Sequence, residues 1–248
     1  MIRVLINGCN GKMGQEVVKS ATITPDIDVL CGVDKIDIGD NNFPVFTNVS
    51  DINLIPDVII DFSIPKATFA ILEFAKEHSI PIVIATTGFS EEELNLINEY
   101  SKSIPIFMSS NMSYEINLMS KILAEVSKKL PNSDIEIIET HHNRKIDSPS
   151  GTALLLANSI NNSLDNQMHF EYDRHSKREK RNKKEIGIHS IRGGNEVGKH
   201  TVIFFGENES FEITHNVLSR SVFADGAIKA AFFVMHQNNG IYNMDNII

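Results

Sequence analysis

The chain has 248 residues, 42% apolar and 22% charged, and its 23 basic and 32 acidic side chains leave a net charge of −9. That composition excludes disordered and collagen-like chains, and the length supplies one large or two modest domains with a substantial core. The longest apolar run, residues 230–235, falls well short of the roughly 18–20 residues that a bilayer-spanning helix needs. The chain opens on a strand-like Met-Ile-Arg-Val-Leu-Ile rather than a secretory apolar region. Cys9 and Cys31 are too few for a disulfide framework or a four-thiolate zinc site. The expectation is a cytoplasmic protein with no membrane contact, in which both thiols are structural.

Residues 2–7 form a short apolar run, the mark of a buried parallel strand. Residues 11–23 follow with helical character, with Val17, Val18 and Ala21 on the buried stripe. Residues 29–33 read as a second strand, and residues 58–62, bounded by Pro56 and Pro65, as a third. Residues 67–78 are helical, with Phe69, Ala70, Leu72, Phe74 and Ala75 as apolar positions, and residues 82–85 make a fourth strand. Ser90 precedes three glutamates and reads as the N-cap of a helix whose acidic first turn suits its dipole. Residues 104–108 are a fifth strand. Such alternation implies a parallel sheet with right-handed crossovers.

The pattern changes after about Met112. Residues 116–130 read as one long helix, 135–139 as a strand and 152–160 as another helix. Strands over 187–192, 200–205 and 211–215 follow with little helix between them, the last two joined by Gly206-Glu207-Asn208-Glu209, a hairpin signal. A final helix over 227–236 is expected to pack back on the first domain. The expected architecture is α/β: a Rossmann-type parallel-sheet domain over residues 1–112 and 222–248, and an α+β domain with a mixed sheet over 113–221.

Charge is uneven. Residues 174–184 carry seven basic side chains against one acid, so the remainder holds 16 basic and 31 acidic groups, a balance of −15. The ordinary reading of such a block is a solvated loop. No aromatic interleaving or recognition motif argues for nucleic acid, and attraction of an anionic substrate is the remaining alternative.

The loop Gly8-Cys9-Asn10-Gly11-Lys12-Met13-Gly14 joins the first strand to the first helix. In that context small residues let the backbone approach a pyrophosphate, which the helix N-terminal amides then hold. The spacing is G-x-x-G-x-x-G. Asn10 stands where a glycine is usual, and asparagine tolerates positive φ. Asp34 lies 20 residues beyond Gly14, where a carboxylate accepts ribose hydroxyls and favours NAD. Lys35 and Lys12 are placed to neutralise a 2′-phosphate, so both NADH and NADPH remain open.

Residues 139–153, Glu-Thr-His-His-Asn-Arg-Lys-Ile-Asp-Ser-Pro-Ser-Gly-Thr-Ala, are the densest chemical segment. His141 and His142 lie just past a strand, Lys145 follows four residues after His141, and Ser150 is placed to cap the next helix. These are the parts of an anion site with proton donors near neutral pH. Adjacent histidines on an extended chain point apart, and no carboxylate or cysteine stands at metal-ligand spacing, so no metal is expected. A polar surface turn is the bland alternative.

At these residues the chain resembles the 4-hydroxy-tetrahydrodipicolinate reductase family of the diaminopimelate route to lysine. The most specific match is His-His-x-x-Lys-x-Asp-x-Pro-Ser-Gly-Thr-Ala from His141 to Ala153. Supporting it are Gly8 to Gly14, Asp61-Phe62-Ser63 with Pro65, Thr86-Thr87-Gly88, Asn111 with Ser113, Ile191 to Gly194, Val197-Gly198-x-His200-Thr201 and Glu212 to His215. The resemblance covers essentially the whole chain.

The resemblance implies that His141 is the proton donor, with Lys145 a second acid beside it. His142, Gly151 and Thr152 would bind the carboxylates of a cyclic dicarboxylate substrate. Gly8, Cys9, Asn10, Gly11, Lys12 and Met13 would hold the pyrophosphate, and Asp34, with Lys35 beside it, the ribose end. Ala85, Thr86 and Thr87 would line the nicotinamide side. Ser109, Ser110, Asn111 and Met112 would complete the cofactor wall and the hinge between domains. It implies NADH or NADPH as cofactor and a homotetramer assembled through the second domain.

The chain departs from the family pattern at Ala85 (usually glycine), Met112 (usually aromatic), Glu115 (usually small) and Ser148 (usually alanine). Without the resemblance, another two-domain amino-acid dehydrogenase or a non-catalytic dinucleotide sensor would share the glycine loop but have no need of the His141–Thr152 segment, since a fold does not fix a function.

Overall fold

Ile2–Asn7 forms β1, central in a sheet because Val4, Leu5 and Ile6 are fully buried. The computed structural model describes residues 1–248. The chain divides into two compact units, Met1–Tyr114 with Arg220–Ile248, and Glu115–Ser219.

In the first unit β1 is followed by α1 (Lys12–Ile23), β2 (Ile27–Val33), β3 (Val45–Phe46), β4 (Val58–Asp61), α2 (Pro65–Glu77), β5 (Ile82–Ile84), α3 (Glu91–Ser101) and β6 (Pro105–Met108). Pro65 sits in the first turn of α2, where the missing N–H is no loss. Ser90 and Glu93 close a reciprocal capping box on α3, a device whose hydroxyl alone contributes about 1 kcal/mol. After the second unit the chain returns as α6 (Ser221–Val234) and β12 (Gly240–Tyr242), the labels β7–β11 and α4–α5 belonging to the elements between. All seven strands are parallel, in the order β12-β6-β5-β4-β1-β2-β3. This is the doubly wound order extended by one edge strand, and it puts the β1 and β4 carboxyl ends at a switch point suited to a ligand. The core forms two layers. Val17, Ala21, Ala227 and Ala231 from α1 and α6 cover one face, while Ile71, Leu72, Ile97 and Tyr100 from α2 and α3 cover the other.

The second unit holds α4, which begins at the unit boundary (Tyr114–Lys129), β7 (Asp134–His141), α5 (Gly151–Ser163), β8 (His169–Glu171), β9 (Glu185–Arg192), β10 (Gly198–Phe205) and β11 (Ser210–Val217). Its sheet runs β11-β10-β7-β9-β8, antiparallel from β11 to β7 and parallel from β7 to β8. Helices α4 and α5 pack Met119, Leu123, Leu156 and Ile160 on one face, against Ile135, Ile137, Val202 and Phe204. The other face carries Ile138, Ile203 and Ile191, the last half exposed. No helix is long and apolar enough to cross a membrane.

Several details differ from the sequence reading. β7 runs to His141 rather than stopping at Glu139, because Thr140 and His141 pair with Ile191 and Arg192 of β9, and His141 continues the inward alternation of Ile135, Ile137 and Glu139. α6 begins at Ser221 rather than residue 227. Strands β3, β8 and β12 have no counterpart in the sequence reading. They are two or three residues long and exist through their pairing with neighbours. The basic block is not simply solvated. Arg174 pairs with Glu185, Lys177 pairs with Glu171, and Arg181 reaches Glu136 at 3.1 Å and the Ile135 carbonyl at 2.7 Å.

Candidate active site

Both candidate clusters lie where strand ends deliver them. In the first unit the loop after β1 turns into α1 at Gly11, an N-cap with no side-chain bond of its own and no acidic residue in the following turn. The first amides of α1 therefore lack intrahelical partners and keep their partial positive charge. Gly8 has φ +82°, and a Cβ there would lie 2.7 Å from the Phe62 carbonyl oxygen. At Gly14 a Cβ would lie 2.0 Å from the Gly8 carbonyl oxygen. Backbone packs on backbone at both positions, so only glycine fits.

Asn10 is not in the positive-φ region. It acts through hydrogen bonds instead. Its backbone N–H donates to Asp34 Oδ2 at 2.8 Å, its amide donates to the Ile36 carbonyl at 2.6 Å, and its side-chain oxygen accepts from Asn41 at 2.8 Å. Asp34 also accepts from the Lys35 N–H at 2.7 Å, so one carboxylate ties the phosphate loop to the end of β2. Gly8, Asn10, Gly11, Asp34 and Lys35 line one cleft of about 790 Å³, within the size range of small-molecule sites. Thr47, Asn48 and Ser50 form part of its wall, as do Phe62 and Ser63. Residues 47–50 carry no motif and were invisible in the sequence.

The remaining candidates of this unit are placed differently. Cys9 is fully buried and its thiol is pushed up to about 12, first by burial and then by Asp34. Met112 is 2% exposed, with its side chain in the core. Lys12, Thr87 and Ser110 are exposed, and Met13, Ala85, Ser109 and Asn111 are half-buried. Ser109 Oγ donates to the Asn111 carbonyl at 2.8 Å, and Asn111 Oδ1 accepts from the Ser113 N–H at 2.9 Å, closing a tight turn after β6.

Thr86 is buried and donates to Asp61 Oδ2 at 2.9 Å. Asp61 is fully buried at the end of β4 and takes further bonds from Asn7 at 2.8 Å, Thr68 at 2.5 Å and the Ser63 hydroxyl at 2.5 Å. Burial pushes its carboxyl up, and the donated bonds pull it back. It fastens three switch-point segments together.

In the second unit the alternation of β7 turns Glu139 and His141 to the same side, and His141 Nδ1 lies 2.5 Å from Glu139 Oε2. Glu139 is fully buried. Arg192 grips it with two bonds, 2.8 Å to Oε2 and 2.7 Å to Oε1, and the Ser150 N–H adds a third at 3.2 Å. Burial works to raise the Glu139 carboxyl, but the bonds from His141, Arg192 and Ser190 outweigh it and hold it well below the carboxylate range.

Strand register assembles this group. Arg192 on β9 stands opposite His141, and His200 on β10 stands opposite Glu139. His200 is 2% exposed, meets Ser150 Oγ at 3.1 Å, and packs edge-on against His141 with ring centroids 5.2 Å apart. Burial foremost, reinforced by His141, takes its imidazole down to about 3.

Beyond β7 the chain is clamped to the loop after β9. His142 N–H donates to the Glu196 carbonyl at 2.8 Å, and Gly193 N–H donates to the His141 carbonyl at 2.9 Å. Lys145 is half-buried and paired with Asp147 at 2.8 Å. Ser150 caps α5 by accepting the Ala153 N–H at 3.1 Å, leaving Gly151 and Thr152 in a first turn with no acidic residue. Glu139, Arg192 and His200 carried no assigned role in the sequence reading. The inward pattern Ile135, Ile137, Glu139, His141 was the available signal for the first of them.

The parts needed by a reduction with a dissociable hydride donor are therefore present. One cleft has uncapped helix amides beside the Asp34 carboxylate, and a second group has an imidazole braced on a buried acid beside a helix N-terminus. Comparison with known proteins places the chain in one family. Residues 2–112 match the model described as dihydrodipicolinate reductase, N-terminus, and residues 115–248 match its C-terminus. A 4-hydroxy-tetrahydrodipicolinate reductase of Clostridium tetani is 49% identical over 246 residues, covering 99% of this chain and 96% of the relative. One from Caldanaerobacter subterraneus is 48% identical over 248 residues, covering 100% and 98%.

Among solved structures, a dipicolinate-bound dihydrodipicolinate reductase from Paenisporosarcina matches with a TM-score of 0.82 and 28% identity over the whole of both chains. A diaminopimelate dehydrogenase of Corynebacterium glutamicum, with a TM-score of 0.60 and 16% identity over 98% of this chain and 92% of its own, shares the fold alone. With both halves of one family model matched in order and close relatives aligned end to end, the chain belongs to the dihydrodipicolinate reductase family.

Proposed function

We propose that the chain catalyses the NAD(P)H-dependent reduction of 4-hydroxy-tetrahydrodipicolinate to tetrahydrodipicolinate, with loss of water, in the diaminopimelate route to lysine. The observation that carries this reading is the imidazole of His141, anchored at Nδ1 to a buried carboxylate and with no protein partner at Nε2. The cofactor, when bound, supplies a hydride to the unsaturated ring. His141 then delivers from Nε2 the proton that the reduced ring requires. Lys145 places a cation where a dicarboxylate and a growing negative charge both need one, and Asp147 holds its ammonium in position. His142 and the first-turn amides at Gly151 and Thr152 take the substrate carboxylates. No metal takes part.

The first unit is the dinucleotide half. Gly8, Cys9, Asn10, Gly11, Lys12 and Met13 hold the pyrophosphate by backbone, and Asp34 takes the ribose with Lys35 beside it. Ala85, Thr86, Thr87 and residues 109–112 line the nicotinamide end. We place the domain boundaries at residues 112–113 and 221–222, two residues from the edges of the compact units. The sheet face that carries Ile138, Ile191 and Ile203 has no helix over it within the unit. It is the surface through which four copies assemble. The setting is the cytoplasm.

The test is oxidation of NADH coupled to the synthase that forms the unstable substrate, run in parallel with NADPH. Absence of turnover with both sinks the reading. In that assay Asp34→Ala raises the KM for NADH more than that for NADPH, because it removes a ribose acceptor and also a charge that repels a 2′-phosphate. An equal loss for the two removes Asp34 from the ribose. Lys145→Ala lowers kcat and weakens substrate binding together, read as separate changes in kcat and KM. If it alters neither, Lys145 has no part in the site.

A further inference from the structure

The reading above gives His141 the proton but leaves open what decides which ring nitrogen delivers it. We infer that Glu139 is a positioning residue. It holds His141 with one proton kept on Nδ1 pointing inward, so that the second proton, gained when the ring becomes charged, is the transferable one and is carried on Nε2. This inference rests on the proposed function and deepens it.

The geometry makes the case. Glu139 and His141 are two residues apart on β7, so the pleat itself turns both inward, and Nδ1 meets Oε2 at 2.5 Å. The carboxylate is fully buried, and a buried carboxylate persists only when its lone pairs are filled. Here they are filled by the two-pronged Arg192 guanidinium at 2.7 and 2.8 Å, by the Ser150 amide at 3.2 Å and by the imidazole. Arg192 also donates to the Asp147 carbonyl at 2.7 Å, which ties the brace to the loop bearing Lys145.

An acceptor-only group at Nδ1 leaves one arrangement for the neutral ring, Nδ1–H inward and Nε2 bare. A Cβ on Gly198 would stand 3.1 Å from Nε2, so glycine keeps space beside that atom. The same logic orients the histidine of a serine-protease triad, where the carboxylate fixes the tautomer without itself taking the proton.

The groups facing the ring from each packed element are consistent with this. Glu139 on β7 is the only anion against it. Arg192 on β9 is neutralised by Glu139, and His200 on β10 is held uncharged by burial. His215 on β11 lies opposite His200 and is likewise lowered by burial. Lys145 on the following loop is paired with Asp147.

The experiment uses the full-length protein labelled with ¹⁵N at histidine, together with Glu139→Gln and Glu139→Asp. In the unsubstituted protein at high pH, His141 shows a protonated Nδ1 and an unprotonated Nε2. In Glu139→Gln the tautomers mix, because an amide can donate to Nδ1 as well as accept from it. The kcat falls at least about tenfold, short of the roughly 10⁴-fold loss seen when a triad carboxylate becomes an amide. Its pH profile changes from that of the unsubstituted protein, while the substrate KM changes less than kcat. Glu139→Asp, which keeps the charge on a shorter arm, recovers part of the loss.

If the unsubstituted His141 carries its proton on Nε2, the inference is overturned, and this holds even where Glu139→Gln fails to fold. It is also overturned if a folded Glu139→Gln keeps both tautomer and pH profile. An unsubstituted protein with the Nδ1–H tautomer but no turnover sinks the reductase reading and leaves the Glu139–His141 brace standing.

Discussion

Replacing His141 by alanine lowers kcat by about 10²–10⁴-fold, the range for loss of a general acid. The loss falls on turnover because no neighbouring imidazole is placed to substitute. His200, the nearest imidazole, is 2% exposed and taken down to about 3 by burial first and then by His141, so near neutrality it has no proton to give. His141→Ala also leaves Glu139 gripped by Arg192 and Ser150, so the buried acid stays compensated and the fold persists. NADH affinity, which the proposed function assigns to the cleft of the first unit, is unchanged. The measurements are steady-state turnover and a direct NADH titration on the same sample. Full turnover in the variant removes His141 from the chemistry. A parallel collapse of NADH binding makes the substitution a structural lesion instead.

Acidification is the second large effect. His200 is neutral in the folded protein and titrates at about 3, whereas in the unfolded chain a histidine titrates near 6.5. Between those values the unfolded state binds the extra proton, so the stability His200 confers is complete above about pH 6.5 and is lost as pH falls towards 3. By pH 4 the loss is about 3 kcal/mol, a large share of the 5–15 kcal/mol typical of a folded protein. His200→Gln keeps a polar atom for the Ser150 hydroxyl but cannot be charged. Urea unfolding at pH 7 and pH 4 therefore shows the unsubstituted protein losing about 3 kcal/mol more than the variant. Equal losses in the two proteins rule out His200 as the source.

The parts of this molecule legible in the sequence are those that short-range pattern controls. The alternation of apolar runs and helical stripes up to Met108 specifies a parallel sheet, and Ser90 with its three glutamates marks α3 to the residue. The glycine loop is readable because its chemistry is contiguous. Other features depend on contacts that no local window contains. The two residues of β3 are a strand only because Val45 and Phe46 pair with Gly32 and Val33. Thr140 and His141 lack the apolar rhythm of β7, so the strand seemed to end two residues early, at Glu139, although His141 continues the inward alternation of Ile135, Ile137 and Glu139. Arg192 and His200 lie far along the chain from Glu139 and are brought to it by register on two different neighbouring strands. The basic block was read from its charge alone, while its partners Glu136, Glu171 and Glu185 lie on three separate strands.

The first unit is closed by residues from both ends of the chain, since α6 supplies Ala224, Ala227, Ala231 and Val234 to a core begun by Val4, Ile6 and Val17. During translation that sheet therefore emerges with one face covered by α1 alone. The roughly 100 residues of the second unit must be made before α6 appears, an interval of roughly 5–20 s at ordinary elongation rates. The uninterrupted second unit has its full complement of strands first, and a ribosome stalled before Arg220 would hold a nascent chain with an oily surface in need of a chaperone.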